Sequence, residues 1–262
     1  MTSLTGRVAI VTGSSKGLGA GIVRRLARDG ATAIGFDIIP EEAGSATAGT
    51  PEQLPVKRHY TVDVRDAAAV ESAVTEVWTQ HGRLDVMICN AAVMQRRASV
   101  IDVDDATVKD VLEVNFMGVL NCCRSAGRLM KAAGQGRIIT VASQVAVVPW
   151  PGIGIYAASK AAVISLTKTM AVELVPYNVI VNCILPGTME TDQMRQTMGE
   201  ESQVRGVDMN QLIESQRQKM PLGRMGSPDD AASLAAWLAS DEASFSVGGV
   251  FDLTGGELLT RR

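Results

Sequence analysis

The chain is poor in the residues that bind metals or cross-link small domains. Its 262 residues include two histidines, His59 and His81, and four cysteines, Cys89, Cys122, Cys123 and Cys183. None stands at a metal-ligand spacing, and the neighbours Cys122 and Cys123 fall in a helical pattern that places them badly for bridging each other. No metal site and no disulfide framework is expected. Reduced, buried thiols point to a cytoplasmic protein. No Lys/Arg-rich block occurs and the formal net charge is -3, which argues against nucleic acid or an anionic membrane as partner. The pairs Arg24-Arg25 and Arg96-Arg97 are isolated and read as solvated. No apolar run approaches the length that spans a bilayer, and the first one, Val8 to Val11, leads into glycines with no signal-peptide pattern before it.

What is present is core and glycine. Hydrophobic residues make up 46%, charged residues 20%, and there are 25 glycines, the proportions of a globular chain with a large interior. One domain over residues 1–262 is expected. β-Branched runs at Arg7–Thr12, Thr32–Asp37, Arg58–Val62, Leu84–Cys89, Arg137–Val141, Val179–Leu185 and Gly249–Leu253 read as strands. They lack strict polar alternation, as strands buried on both faces do. Helical periods separate them at Gly17–Asp29, Ala67–His81, Asp104–Ala133, Tyr156–Leu174 and Pro228–Ala239. This alternation predicts an α/β fold: a single doubly wound parallel sheet with helices on both faces. Two stretches break the rhythm. Any helix between Pro40 and Pro55 must be short, and Pro186 to Gly226 is a long polar segment suited to a substrate loop, with Met209–Lys219 its helical part.

Thr12-Gly13-Ser14-Ser15-Lys16-Gly17-Leu18-Gly19 follows the first strand and opens the first helix. Glycines there permit a tight turn and let a pyrophosphate approach free helix N–H groups. Asp37 ends the second strand, where a carboxylate bonds a free ribose 2′-hydroxyl and repels a 2′-phosphate. Lys16 pulls the other way, but Ile38 and Ile39 offer no phosphate clamp. The expected cofactor is NAD, ahead of NADP.

Ser143 lies just past the strand Arg137–Val141, at the carboxyl edge of the sheet. Tyr156 opens a later helix and Lys160 follows one turn on, on the same face. A hydride moving to or from a carbonyl carbon needs a proton moved at its oxygen. A phenol with a neighbouring ammonium can move that proton near neutrality, and a serine can hydrogen-bond the same oxygen.

These motifs resemble the short-chain dehydrogenase/reductase family from Gly6 to about Gly256. The T-G-x-x-x-G-x-G loop matches Thr12 to Gly19, N-A-G matches Asn90-Ala91-Ala92 with alanine in the last place, and N-x-x-G matches Asn115 to Gly118. Ser143 with Tyr156-x-x-x-Lys160 matches the active-site set, and Pro186-Gly187-Thr188-Met189-Glu190-Thr191 matches P-G-x-x-x-T. The resemblance implies a Rossmann fold, Tyr156 as acid/base, Ser143 orienting the substrate oxygen, and Lys160 lowering the tyrosine's pKa while binding the nicotinamide ribose. It further implies Asn115 as the holder of a relay water, and a coenzyme held by Gly13, Ser15, Lys16, Gly17, Leu18, Gly19, Asp37, Asp63, Val64, Asn90, Pro186, Gly187 and Thr191. A homotetramer pairing Asp104–Ala133 and Tyr156–Leu174 is implied too. Near the C-terminus Thr254-Gly255-Gly256 replaces the family's Asp-Gly-Gly.

The substrate is a small alcohol or carbonyl compound, bounded by Ser143, Gln144, Trp150 and Tyr156, with Met94–Arg97 and the loop after Thr191 nearby. Gln144, Gln193, Arg96 and Glu190 suit a polyol or sugar; Val145, Val147, Met94 and Met194 suit an apolar substrate. Two other functions stay open: an NADPH-dependent ketoreductase acting on apolar or 3-oxoacyl carbonyls, and a dinucleotide-binding sensor or scaffold without turnover.

Overall fold

A computed structural model describes residues 3–40 and 56–260. The segment between Pro40 and Pro55 expected to hold at most a short helix lies, from residue 41 on, outside the described residues. Seven parallel strands form one sheet in the order β3-β2-β1-β4-β5-β6-β7. They are β1 Val8–Thr12, β2 Thr32–Asp37, β3 Val56–Thr61, β4 Val86–Cys89, β5 Gly136–Val141, β6 Val179–Pro186 and β7 Val250–Leu253. Every residue of β1, β4, β5 and β6 is buried, which is why these runs show no alternation.

Helices cover both faces. On one, α1 (Gly17–Arg28) and α8 (Pro228–Ala239) pack on a core built around Ala9, Val11, Ile88 and Ile139. On the other, α2 (Ala67–His81), α4 (Val119–Ala133) and α5 (Gly154–Leu174) close over Ile10, Phe36, Met87 and Ile138. Strand order reverses between β1 and β4, and the crevice at the strands' carboxyl ends is where such sheets bind ligands.

Three expectations change. The helix expected at Asp104–Ala133 is divided into α3 (Asp105–Leu112), a π-helical turn at Glu113–Gly118, and α4. The wider turn seats fully buried Asn115 against the strand-edge loop, a job a regular helix would give to another face. Tyr156 is the third residue of α5 and does not open it. The segment 186–226 holds two helices, α6 (Asp192–Arg205) and α7 (Met209–Gln218), of which only the second was legible. The two close over a methionine-rich cluster of their own, with Ile213, Met220 and Met225 buried and Met194, Met198 and Met209 around them. Their packing is mutual, so α6 shows little amphipathic signal on its own. A last short helix, α9 (Glu257–Thr260), also carries no clear sequence signal.

Candidate active site

A cavity of about 870 Å³ opens over the carboxyl ends of the strands. One end is walled by the loop between β1 and α1. Gly13, at φ +64°, turns the chain, and a Cβ on Gly19 would run into the Gly13 carbonyl, so this tight loop needs glycine at both places. Gly13, Lys16, Gly17 and Leu18 line the cavity, while Ser15 and Gly19 stand behind that wall. Lys16 occupies the N-cap of α1 without a capping side-chain bond, and the first turn holds no acidic residue. Those N–H groups are the ones a phosphate would use. A Cβ on Gly17 would reach ordinary contact with the Thr191 methyl group at 3.8 Å, and the buried Ser15 hydroxyl has no partner. Together these features fit a dinucleotide.

Asp37, at the end of β2, accepts from the Ser15 N–H (2.9 Å) and the Ile39 N–H (3.1 Å), so it braces the glycine loop while lining the cavity. Asp63 and Val64 line the same end. Arg65 beside them is tied to Asp63 (2.7 Å) and Asp110 (3.3 Å), and that pairing holds the Asp63 carboxyl below its ordinary range. Asn90 lines the cavity, with its amide donating to the Thr12 and Gly13 carbonyls. Pro186, Gly187 and Thr191 complete the opposite wall, Thr191 also capping α6 through the Met194 N–H.

At the other end Ser143, Tyr156 and Lys160 converge, all on the cavity wall. Ser143 follows β5 in extended conformation and hydrogen-bonds the Tyr156 phenol. Lys160, 2% exposed, donates to the Val141 carbonyl (2.9 Å), its ammonium 5.8 Å from the Tyr156 ring centre. Burial pushes the lysine down to about 8 and the tyrosine up to about 12, the Ser143 bond offsetting only part of the second shift. Desolvation is thus the larger influence on the phenol, and the Ser143 bond is what opposes it.

Asn115 stands off the cavity wall, its side chain accepting from the Val93 N–H and donating to the Val93 carbonyl and to Ser159 Oγ. Gln144 and Trp150 line the cavity as expected. Val147 is 54% exposed, and neither it, Arg96 nor Glu190 lines the cavity; Glu190 is engaged by Arg195 and Arg217. Arg97, read as solvated, lines the cavity and pairs with Glu201 of α6.

Three residues have roles that sequence reasoning did not single out, although Gln95 falls within Met94–Arg97 and Gln216 within the loop 186–226. Glu257 of α9 is fully buried and accepts from Gln144 (2.9 Å) and Gln216 (3.4 Å), with the Thr188 hydroxyl 3.5 Å away. Gln216 arrives on α7, and Gln95 sits 3% exposed at the first turn of α5. Nothing in a lone Gln or Glu signals such a place.

Comparisons with known proteins agree with this geometry. A family model described as Enoyl-(Acyl carrier protein) reductase matches residues 13–257. The 3-oxoacyl-[acyl-carrier-protein] reductase FabG of Thermotoga maritima is 35% identical over 98% of this chain and 99% of its own. The 2-dehydro-3-deoxy-L-rhamnonate dehydrogenase (NAD(+)) of a Sphingomonas species is 32% identical over 96% of this chain and 95% of its own. The structure of NAD+-bound xylitol dehydrogenase superposes with a TM-score of 0.87 at 29% identity, over 96% of this chain and 99% of that one. Loop, sheet and relatives converge on one assignment: the chain belongs to the short-chain dehydrogenase/reductase family and is a nicotinamide-dinucleotide-dependent oxidoreductase acting on CH–OH groups.

Proposed function

We propose that the protein oxidises a secondary alcohol of a polyol or sugar with NAD. The observation that carries this reading is the meeting of Ser143, Tyr156 and Lys160 in the cavity whose far end is the glycine loop. A bound oxidised coenzyme supplies the hydride acceptor and a positive charge. Gly13, Lys16, Gly17, Leu18, Asp37 and Thr191 hold it, with Lys160 at its nicotinamide ribose. Tyr156 takes the proton from the substrate hydroxyl, and Ser143 donates to the same oxygen as it becomes a carbonyl. Lys160 keeps a cation beside the phenol, because a lysine at about 8 is still mostly protonated at neutral pH.

Three features favour NAD and a hydroxyl-rich substrate. The Asp37 carboxylate faces the ribose end, and Arg65 is already engaged by two carboxylates. Gln144 brings a buried carbonyl oxygen without a partner to a wall shared with Thr188 and Gln216, and buried polar groups call for partners. The methionines of α6 on the facing wall favour the second reading, a ketoreductase for an apolar carbonyl. Coenzyme assays over sugars, polyols, steroids and hydroxyacyl thioesters, each with NAD and NADP, separate the two. Sugars or polyols with NAD, at least about tenfold ahead of NADP in kcat/KM, are expected. Activity confined to steroids or thioesters refutes the polyol part, and a preference for NADP refutes the coenzyme part.

We place the enzyme in the cytoplasm as a homotetramer. All four cysteines are free and buried, which suits a reducing compartment, and no helix among the described residues is long and apolar enough to cross a membrane. Val163 and Met170 of α5 are buried within their own chain. Apolar surface remains at Val172 (73% exposed) and at fully exposed Phe245. Light scattering should give four times 27.7 kDa; a monomer at assay concentration would overturn the assembly.

A further inference from the structure

The helix that carries Tyr156 starts without a cap of its own. Its N-cap residue, Ile153, has no side chain able to accept a hydrogen bond. The missing acceptor comes from another loop: Gln95 Oε1 accepts from the Ile155 N–H (3.0 Å) and the Tyr156 N–H (3.1 Å). Two donors on one oxygen fix the amide's orientation, which leaves Nε2 buried and without a partner. Leaving a buried donor unpaired is costly. Glutamate would make the same two bonds, and a carboxylate suits a helix N-terminus, but its second oxygen would take the buried, partnerless place of Nε2. What glutamate would add is a negative charge one residue from the group that must become a phenolate.

We propose that Gln95 is a positioning residue, a neutral cap that seats Tyr156 against Ser143 while keeping negative charge away from the phenol. The inference rests on Tyr156 being the acid/base. Gln95 is well placed for the task. The loop that bears it is clamped by Asn115 through both the N–H and the carbonyl of Val93, and further on the Ala98 N–H donates to the Gly152 carbonyl. Asn115 also donates to Ser159, whose hydroxyl donates to the Tyr156 carbonyl. Loop, π-turn and α5 therefore form one hydrogen-bonded unit around the tyrosine's backbone.

The groups facing Tyr156 are few. Ser143 comes from the end of β5, and Lys160 from α5 itself. Behind Lys160 lies the Cys183 thiol of β6, itself kept protonated by burial. The charges on the Gln95 loop are Arg96 and Arg97, the latter balanced by Glu201 of α6. No carboxylate hydrogen-bonds the phenol among the described residues, and Gln95→Glu would place one at the Tyr156 backbone N–H.

The test uses two variants of the full-length enzyme. Gln95→Glu keeps both cap bonds, while the pH at which turnover in the oxidising direction reaches half its maximum rises by about one unit. Gln95→Met loses the cap, so its melting temperature and kcat both fall with that midpoint unmoved. Tyrosinate absorbance, read after Tyr60→Phe and Tyr177→Phe leave Tyr156 as the one remaining tyrosine, gives the same comparison without a substrate. An unmoved midpoint and tyrosinate titration in Gln95→Glu, or unchanged kcat and melting in Gln95→Met, would overturn the proposal. Tyr156→Phe separates the two failures: if it keeps turnover, the acid/base assignment falls first.

Discussion

Replacing Tyr156 with Phe lowers kcat by about a thousandfold, within the range that a positioned acid/base contributes, while coenzyme affinity changes less than about twofold. The asymmetry follows from where the atoms lie. The loop from Gly13 to Leu18, with Asp37 and Thr191, surrounds the dinucleotide end of the cavity, and only the phenolic oxygen is lost from the other end. Ser143 retains its place after β5, held by the Val145 N–H (3.4 Å), so the residual rate measures what orientation and the serine bond achieve alone. Single-turnover kinetics beside a fluorescence titration of the reduced coenzyme checks both parts. Unchanged turnover would refute Tyr156 as the acid/base.

The second large effect concerns Lys160 and carries opposite signs for activity and stability. Lys160→Met should cost at least about a hundredfold in kcat by removing the cation beside the phenol. The same variant should be more stable at pH 7. The buried ammonium is pushed from 10.5 down to about 8, so the unfolded chain holds this proton more tightly than the folded one. Between pH 8 and 10.5 the unfolded state therefore binds more protons, and wild-type stability rises with pH across that window. Below pH 8 the full cost is present, on the order of 3 kcal/mol, and the bond to the Val141 carbonyl returns about 1 kcal/mol. Methionine avoids both, for a net gain of about 2 kcal/mol, or a rise of roughly 4 °C or more in melting temperature. The gain should fade as pH climbs from 8 towards 10. Above pH 10 the raised phenol adds a trend of its own: the unfolded tyrosine loses its proton while the folded one keeps it to about 12, so stability falls. A variant that melts lower than wild type at pH 7, or whose gain persists to pH 10, would contradict this account of the buried lysine.

The two results together describe a site that holds its chemistry under strain from burial. Lys160 is expensive to keep and Tyr156 reluctant to ionise, for the same reason. Both sit in a cavity walled by Val141, Val145, Ile153 and Pro186, where water that would solvate charge is scarce. A dry site strengthens each interaction made within it, including the one between ammonium and phenolate once a proton has left. Perturbed groups of this kind gather at functional sites, and here both face one cavity.

Much of this was legible before any coordinates. The Gly13–Gly19 loop shows itself because tight turns and close backbone approach admit few residue types, and Ser143, Tyr156 and Lys160 stand at spacings that strand end and helix turn convert directly into one face. The strands were legible because burial on both faces removes polar residues from them. Gln95, Gln216 and Glu257 were not legible. Each is an ordinary polar residue whose role comes from partners 60, 28 and 113 positions away, Ile155, Thr188 and Gln144 respectively. The helix Asp192–Arg205 escaped for a related reason: its apolar contacts are methionines met by another helix, not by the sheet.

By itself, then, the sequence determined the order of the strands, the glycine loop and the candidate reacting side chains, since local sterics and periodicity decide those. Tertiary structure alone decided that Asp37 braces the glycine loop, that Asn115 clamps Val93, that Gln95 caps the helix of Tyr156, and that burial dominates at the phenol. Desolvation and long-range hydrogen bonds depend on what the fold brings near, and no local run of residues records that.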